Sequence, residues 1–167
     1  MGKDVLHLDD RNAADSLLLT YTTEPLKEDL QITGTPAITL HLSSTHQEGA
    51  VLVYLEDVDP NGRSRYITEG GLLLEHRKLS KNPMSATVPY HSFAQADAAL
   101  MPVNEIEAIT FKLWPTSVLI KAGHSIRIAI AGADKDTFDR VPTAGTPTYK
   151  VYRSTDYVSF IDLPVIE

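Results

Sequence analysis

The chain has 167 residues, a net charge of −7 and no cysteine. That length suffices for one domain with a core of its own and is short for two. The negative charge disfavours a phosphate-backbone partner, and the missing thiols exclude disulfides and thiolate-held metals.

The N-terminal stretch Met1–Asp10 lacks the apolar centre of a signal peptide. Residues 1–16 are polar and without period, so they are expected to form a linker or N-terminal arm, with a single domain over residues 17–167. No apolar run approaches the 18 residues of a membrane span. The lack of cysteine fits a reducing compartment, which favours the cytoplasm.

Strand candidates then follow one another along the chain. Leu17–Thr22 and Asp29–Thr33 come first. Ile38, Leu40 and Leu42 alternate with Thr39, His41 and Ser43, the period-2 pattern of a half-buried strand. Val51, Val53 and Leu55 alternate with Leu52, Tyr54 and Glu56, so this strand is expected to be central and buried on both faces. Tyr66–His76 is another candidate, with Gly70-Gly71 inside it predicting a bulge or bend. Ile109, Phe111 and Leu113 alternate with Thr110, Lys112 and Trp114, and Ile126, Ile128 and Ile130 with Ser125, Arg127 and Ala129. Thr148–Tyr152 and Tyr157–Leu163 complete about nine strands. Glu24-Pro25, Gly34-Thr35-Pro36 and Pro60-Asn61-Gly62 supply turn chemistry between them. One helix of about one to three turns is predicted, capped by Ser92 with Gln95 three residues on, in a stretch that runs to Leu100. Repeated helical crossovers are missing, so the fold class is an all-β sandwich with at most one or two short helices.

Motifs that could carry chemistry are few. Gly123-His124-Ser125-Ile126-Arg127 approaches a nucleophile elbow, but Arg127 replaces the second glycine and a strand follows Ser125 where a helix is needed. A turn feeding a strand is the better reading. Asp57-Val58-Asp59-Pro60-Asn61-Gly62 opens like a calcium loop, but its twelfth position is Thr68 instead of a bidentate glutamate, which favours a hairpin turn. The six histidines, His7, His41, His46, His76, His91 and His124, lack metal-ligand spacing. His41 and His76 are expected as satisfied polar side chains on strands. The many carboxylates cannot be paired from sequence into a glycosidase dyad. Trp114 and the seven tyrosines could form a sugar platform, although aromatics on strands more often fill cores. No catalytic residue, cofactor or metal site is assigned.

Several phrases in order carry a resemblance. They are Leu19-Thr20-Tyr21-Thr22-Thr23-Glu24-Pro25-Leu26, Asp29-Leu30-Gln31-Ile32-Thr33-Gly34 and Leu55-Glu56-Asp57-Val58-Asp59-Pro60-Asn61-Gly62. Then come Thr68-Glu69-Gly70-Gly71 through His76-Arg77, Ile120-Lys121-Ala122-Gly123-His124-Ser125-Ile126-Arg127-Ile128, and the closing Ile161-Asp162-Leu163-Pro164-Val165-Ile166. Together they resemble the C-terminal β-domain of X-prolyl dipeptidyl-peptidase and cocaine-esterase (CocE/NonD) serine hydrolases, over about Leu17 to Ile166. Ser125 departs from the family's basic residue, and Asp134–Pro147 departs from its aspartate-aromatic-proline phrase.

The resemblance implies a jelly roll like galactose-binding domains. It implies that the Ser-His-Asp triad lies in a preceding α/β-hydrolase domain, which this domain packs on and whose cleft it helps to wall. Subunit contacts of the parent, as in a homo-oligomer, are also implied, and so is hydrolysis of peptides, esters or amides. Asp57, Gly62, Gly123, His124 and Arg127 fall on the family's signature positions and are expected to be structural, with Arg127 in an ion pair. Two rival readings are a carbohydrate-binding module built on Trp114 and exposed tyrosines, and an independent β-domain that assembles with a separate hydrolase chain.

Overall fold

Alternation gives most of these strands one apolar face, and two such sheets can hide those faces only by stacking one on the other. The computed structural model describes residues 10–81, 87–135 and 137–166. Its strands are β1 (Leu19–Thr22), β2 (Leu30–Gly34), β3 (Ala37–Ser44), β4 (Ala50–Val58), β5 (Ser64–Leu73), β6 (Glu107–Lys112), β7 (Thr116–Ile120), β8 (Ser125–Ala131), β9 (Tyr149–Tyr152), β10 (Phe160–Asp162) and β11 (Val165–Ile166). One layer is a sheet ordered β1-β8-β4-β5. The other combines β10-β3-β6, with β9 also on β3, and the three-stranded β11-β2-β7. All these strand pairs are antiparallel.

The core lies between the layers. Val51, Val53, Leu55, Ile126 and Ile130 from the first sheet meet Ile32, Ile38, Leu40, Ile109, Phe111 and Ile120 from the second layer. Fully burying a side chain of this size contributes about 1.5–3 kcal/mol. On the outward face of β3 and β6, Thr39 and Thr110 hydrogen-bond across the pair at 2.9 Å. The expected alternation is therefore realised at both strands.

Strand β4 is buried on both faces, as its double apolar pattern predicts. Its second face, with Leu52 and Tyr54, packs with Ala129, Ala131, Leu18 and Tyr66. Residues 10–18 cover that face. They contain an α-helix, α1 (Asn12–Asp15), which was not foreseen because four residues leave no period to read. The arm is tied down by the Arg11 amide, which donates to the Ser64 carbonyl at 2.8 Å, and by Asn12 Nδ2, which donates to the Gly62 carbonyl at 2.6 Å. No helix among the described residues is long and apolar enough to cross a membrane.

Several local expectations come out differently: His76, expected on a strand, lies in a 3-10 turn, Leu74–His76, because β5 ends at Leu73. The helix from Ser92 to Leu100 is a single 3-10 turn, Gln95–Asp97. Ser92 Oγ donates to Asp97 Oδ2 at 2.6 Å and accepts the Ala94 amide at 3.2 Å, so its hydroxyl closes a turn instead of capping a helix. The β5 bulge falls at Ile67, because Leu55 faces Thr68 while Glu56 faces Tyr66. Gly70 serves close approach instead: a Cβ there would stand 2.5 Å from the Lys112 carbonyl oxygen. Strands β7 and β11 were unforeseen, since β7 follows a proline turn and β11 is two residues long.

Candidate functional site

Two places gather functional-looking side chains: an apolar groove at the β5 edge, and a polar cluster at one end of the first sheet. The groove forms because β5 ends that sheet. The turn after β6 laces onto β5 there. The Trp114 amide donates to the Glu69 carbonyl, and Thr68 Oγ1 to the Trp114 carbonyl, both at 2.8 Å. Leu113 then points into the core while Trp114 is thrown outward, as alternation predicts, and stands 68% exposed.

The opposite wall is an extended segment around Tyr90–Phe93. The His91 ring holds it in place, with Nδ1 at 3.1 Å from the Lys78 carbonyl and Nε2 at 3.0 Å from the Thr110 carbonyl. Phe93 takes a positive φ of 53° and contacts the rings of His76 and His91 while remaining 62% exposed. Leu73, Tyr90, Phe93, Trp114, Phe138 and Val141 line a cavity of about 690 Å³ between these walls. Asp134 and Asp139 border it. Tyr54 donates to Asp134 Oδ2 at 2.6 Å, and burial together with that bond raises the Tyr54 pKa. Glu69 is likewise raised, by burial first and then by the Asp134 charge.

The sequence-predicted positions cluster elsewhere, at the hairpin end of the first sheet. Gly62 and Gly123 both take φ of +84°, a region that favours glycine. In the β4–β5 hairpin, Asp59 Oδ1 accepts the amides of Asn61 and Arg63 at 2.8 and 2.9 Å. Those donors, Arg63 foremost, hold the Asp59 carboxyl below the usual range. Asp57 pairs with His124, Oδ1 to Nδ1, at 2.7 Å. Both aspartates of the calcium-like motif thus have partners within the turn and across to β8. Arg127 reaches the arm: Nη1 donates to Asp15 Oδ2 at 2.9 Å and Nε to Thr22 Oγ1 at 3.0 Å.

The Asp57–His124 pair has the acid–imidazole half of a hydrolytic triad. Among the described residues no serine hydroxyl hydrogen-bonds to a histidine ring, and Ser125 begins β8, paired with Val58. The groove was invisible in sequence apart from Trp114. Tyr90, Phe93 and Phe138 lie in loops, where an apolar residue carries no period; their only signal is an aromatic in an otherwise polar stretch.

A family model for the X-Pro dipeptidyl-peptidase C-terminal non-catalytic domain matches residues 3–158. The chain belongs to this family. The protein named "Putative serine esterase Mb1866c", from Mycobacterium bovis, is 51% identical over 160 residues, covering 95% of this chain and 25% of that protein. The cocaine esterase of a Rhodococcus species is 24% identical over 162 residues, covering 90% of this chain and 26% of that one. Among solved structures, an α-amino acid ester hydrolase superposes with a TM-score of 0.78 at 23% identity, over 95% of this chain and 27% of that one. The chain spans about a quarter of the length of these relatives. It is therefore a non-catalytic C-terminal domain of the X-Pro dipeptidyl-peptidase type, with the expected all-β sandwich architecture.

Proposed function

We propose that this domain packs on an α/β-hydrolase domain through the β5 groove and helps to wall that domain's substrate cleft, while supplying no catalytic group. The observation that carries the reading is the pair of large aromatics, Trp114 and Phe93, exposed on opposite walls of one apolar groove. Apolar surface gathered in this way marks an interface more often than solitary exposed residues do. Rigid elements support the same role. Trp114 is anchored through its backbone to β5, and a cleft wall must hold its shape to about half an ångström. The nucleophile, base and oxyanion hole are then supplied by the hydrolase domain. The esterase names of two relatives support ester hydrolysis as the chemistry of the whole protein. Asp57, Gly62, Gly123, His124 and Arg127 act as structural positions that shape the hairpin end and seat the arm.

Two measurements test this. The chain alone is expected to turn over neither aryl esters nor Xaa-Pro dipeptide substrates; turnover abolished by Ser125→Ala would refute the non-catalytic role. With the hydrolase domain present, amide exchange at residues 70–73 and 90–93 is expected to slow. Trp114→Ala is expected to weaken that protection while shifting the stability of the isolated domain by no more than about 0.5 kcal/mol, the usual range for exposed positions. Unchanged exchange at the groove in the assembled protein would reject this face as the contact.

The exposed indole favours a second reading, a carbohydrate site. Titration with millimolar simple sugars while Trp114 fluorescence is followed decides it, and an unchanged signal dismisses it.

A further inference from the structure

On the face of the first sheet opposite the core, the arm buries a cluster of charges. Glu56, on β4, is 0% exposed, and Asp15, on α1, is 5% exposed. Arg11 Nε donates to Glu56 Oε1 at 2.7 Å and lies 3.8 Å from Asp15 Oδ1. Ser64 Oγ, from β5, donates to Glu56 Oε2 at 2.8 Å. Arg127, from β8, takes Asp15 Oδ2 at 2.9 Å. Tyr54 on β4 lies under the Arg11 guanidinium at 4.1 Å, and Tyr66 is the β5 neighbour of Glu56.

Three of the four carboxylate oxygens therefore have donors. The fourth, Asp15 Oδ1, is buried and has none. A buried charged oxygen without a donor is costly. Both carboxyl groups converge on the Arg11 guanidinium, and a proton placed between them supplies the missing donor.

We propose that Glu56 keeps a proton that it donates to Asp15 Oδ1, and that this bond fastens residues 10–18 to the outer face of the sheet. The structural role assigned to the domain is not needed for this. Burial foremost, with the Asp15 carboxyl adding to it, pushes the Glu56 pKa up to about 7, against the opposing bonds from Ser64 and Arg11. The seated arm therefore holds the proton more tightly than the released arm. Its grip is full in acid, below the ordinary glutamate range, and is lost as pH rises through about 7.

The test uses the chain itself. Amide exchange of Ser16, Leu17 and Leu18, whose N–H groups bond within the arm, is followed from pH 6 to 8 and corrected for the intrinsic rate. Protection is expected to fall about tenfold across that span, the ratio given by a Glu56 pKa near 7 in the seated state and its ordinary value in the released one. Glu56→Gln places a permanent amide donor where the proton sits. It is expected to keep the arm protected at pH 8 and to abolish the pH dependence. An infrared difference spectrum of the native chain is expected to show a protonated-carboxyl band at pH 6 that disappears at pH 8. Protection independent of pH in the native chain overturns the proposal, as does a missing band at pH 6. If Glu56→Gln releases the arm at every pH, the Arg11–Glu56 ion pair holds it and the donated proton does not.

Discussion

Replacing Gly70 by alanine tests how the sandwich closes along β5. The new Cβ would stand 2.5 Å from the Lys112 carbonyl oxygen and 2.9 Å from the Leu113 Cα. Carbon ordinarily meets a carbonyl oxygen at about 3.3–3.6 Å. Both obstacles are backbone, so no side chain can swing aside, and β5 must withdraw from the turn after β6. That withdrawal strains two hydrogen bonds, Trp114 to Glu69 and Thr68 to Trp114, both 2.8 Å long. Overpacking costs about 1–3 kcal/mol, and weakening the two bonds adds roughly 1 kcal/mol. The expected loss is about 2–4 kcal/mol, read by urea unfolding with circular dichroism; for a chain of this size it corresponds to roughly 4–16 °C in Tm. Gly71→Ala is the control. Its Cβ would meet the Leu52 Cδ2 at 3.1 Å, a side-chain atom that can move, so a loss of about 1 kcal/mol or less is expected. A Gly70→Ala domain within about 0.5 kcal/mol of the native one would show that β5 is not pressed against that turn, and the account of how Trp114 is presented would fail with it.

Phe111→Ala removes a core ring that is 2% exposed and is expected to cost about 3–5 kcal/mol in the same assay; a loss below half of that range would mean that the two layers collapse into the space. Gly62→Ala isolates backbone conformation, because φ is +84° and a Cβ there meets nothing within 4 Å. The expected loss is about 1 kcal/mol, and Gly62→Asn should recover part of it, since asparagine tolerates this region better; equal stability of the alanine and glycine forms would contradict the turn geometry.

Alternation is a local property, and wherever it was long enough it located a strand and the face that strand buries. Residues 38–43, 109–114 and 125–130 show this, with the odd or even set entering the core as read. The double apolar pattern of residues 51–56 also revealed a strand covered on both sides. Turn residues with positive φ, Gly62 and Gly123, were legible for the same local reason. Family phrases extended that reading to the kind of protein. What covers the second face of β4, which loop aromatics line the same groove as Trp114, and which carboxyl faces Glu56 depend on contacts between residues far apart in the chain. Arg11 and Glu56 are 45 positions apart, and Arg127 and Asp15 are 112 apart. No period or spacing encodes such pairs. Only the stacking of the sheets and the return of the arm across them bring these groups within bonding distance, and burial then sets their charge states.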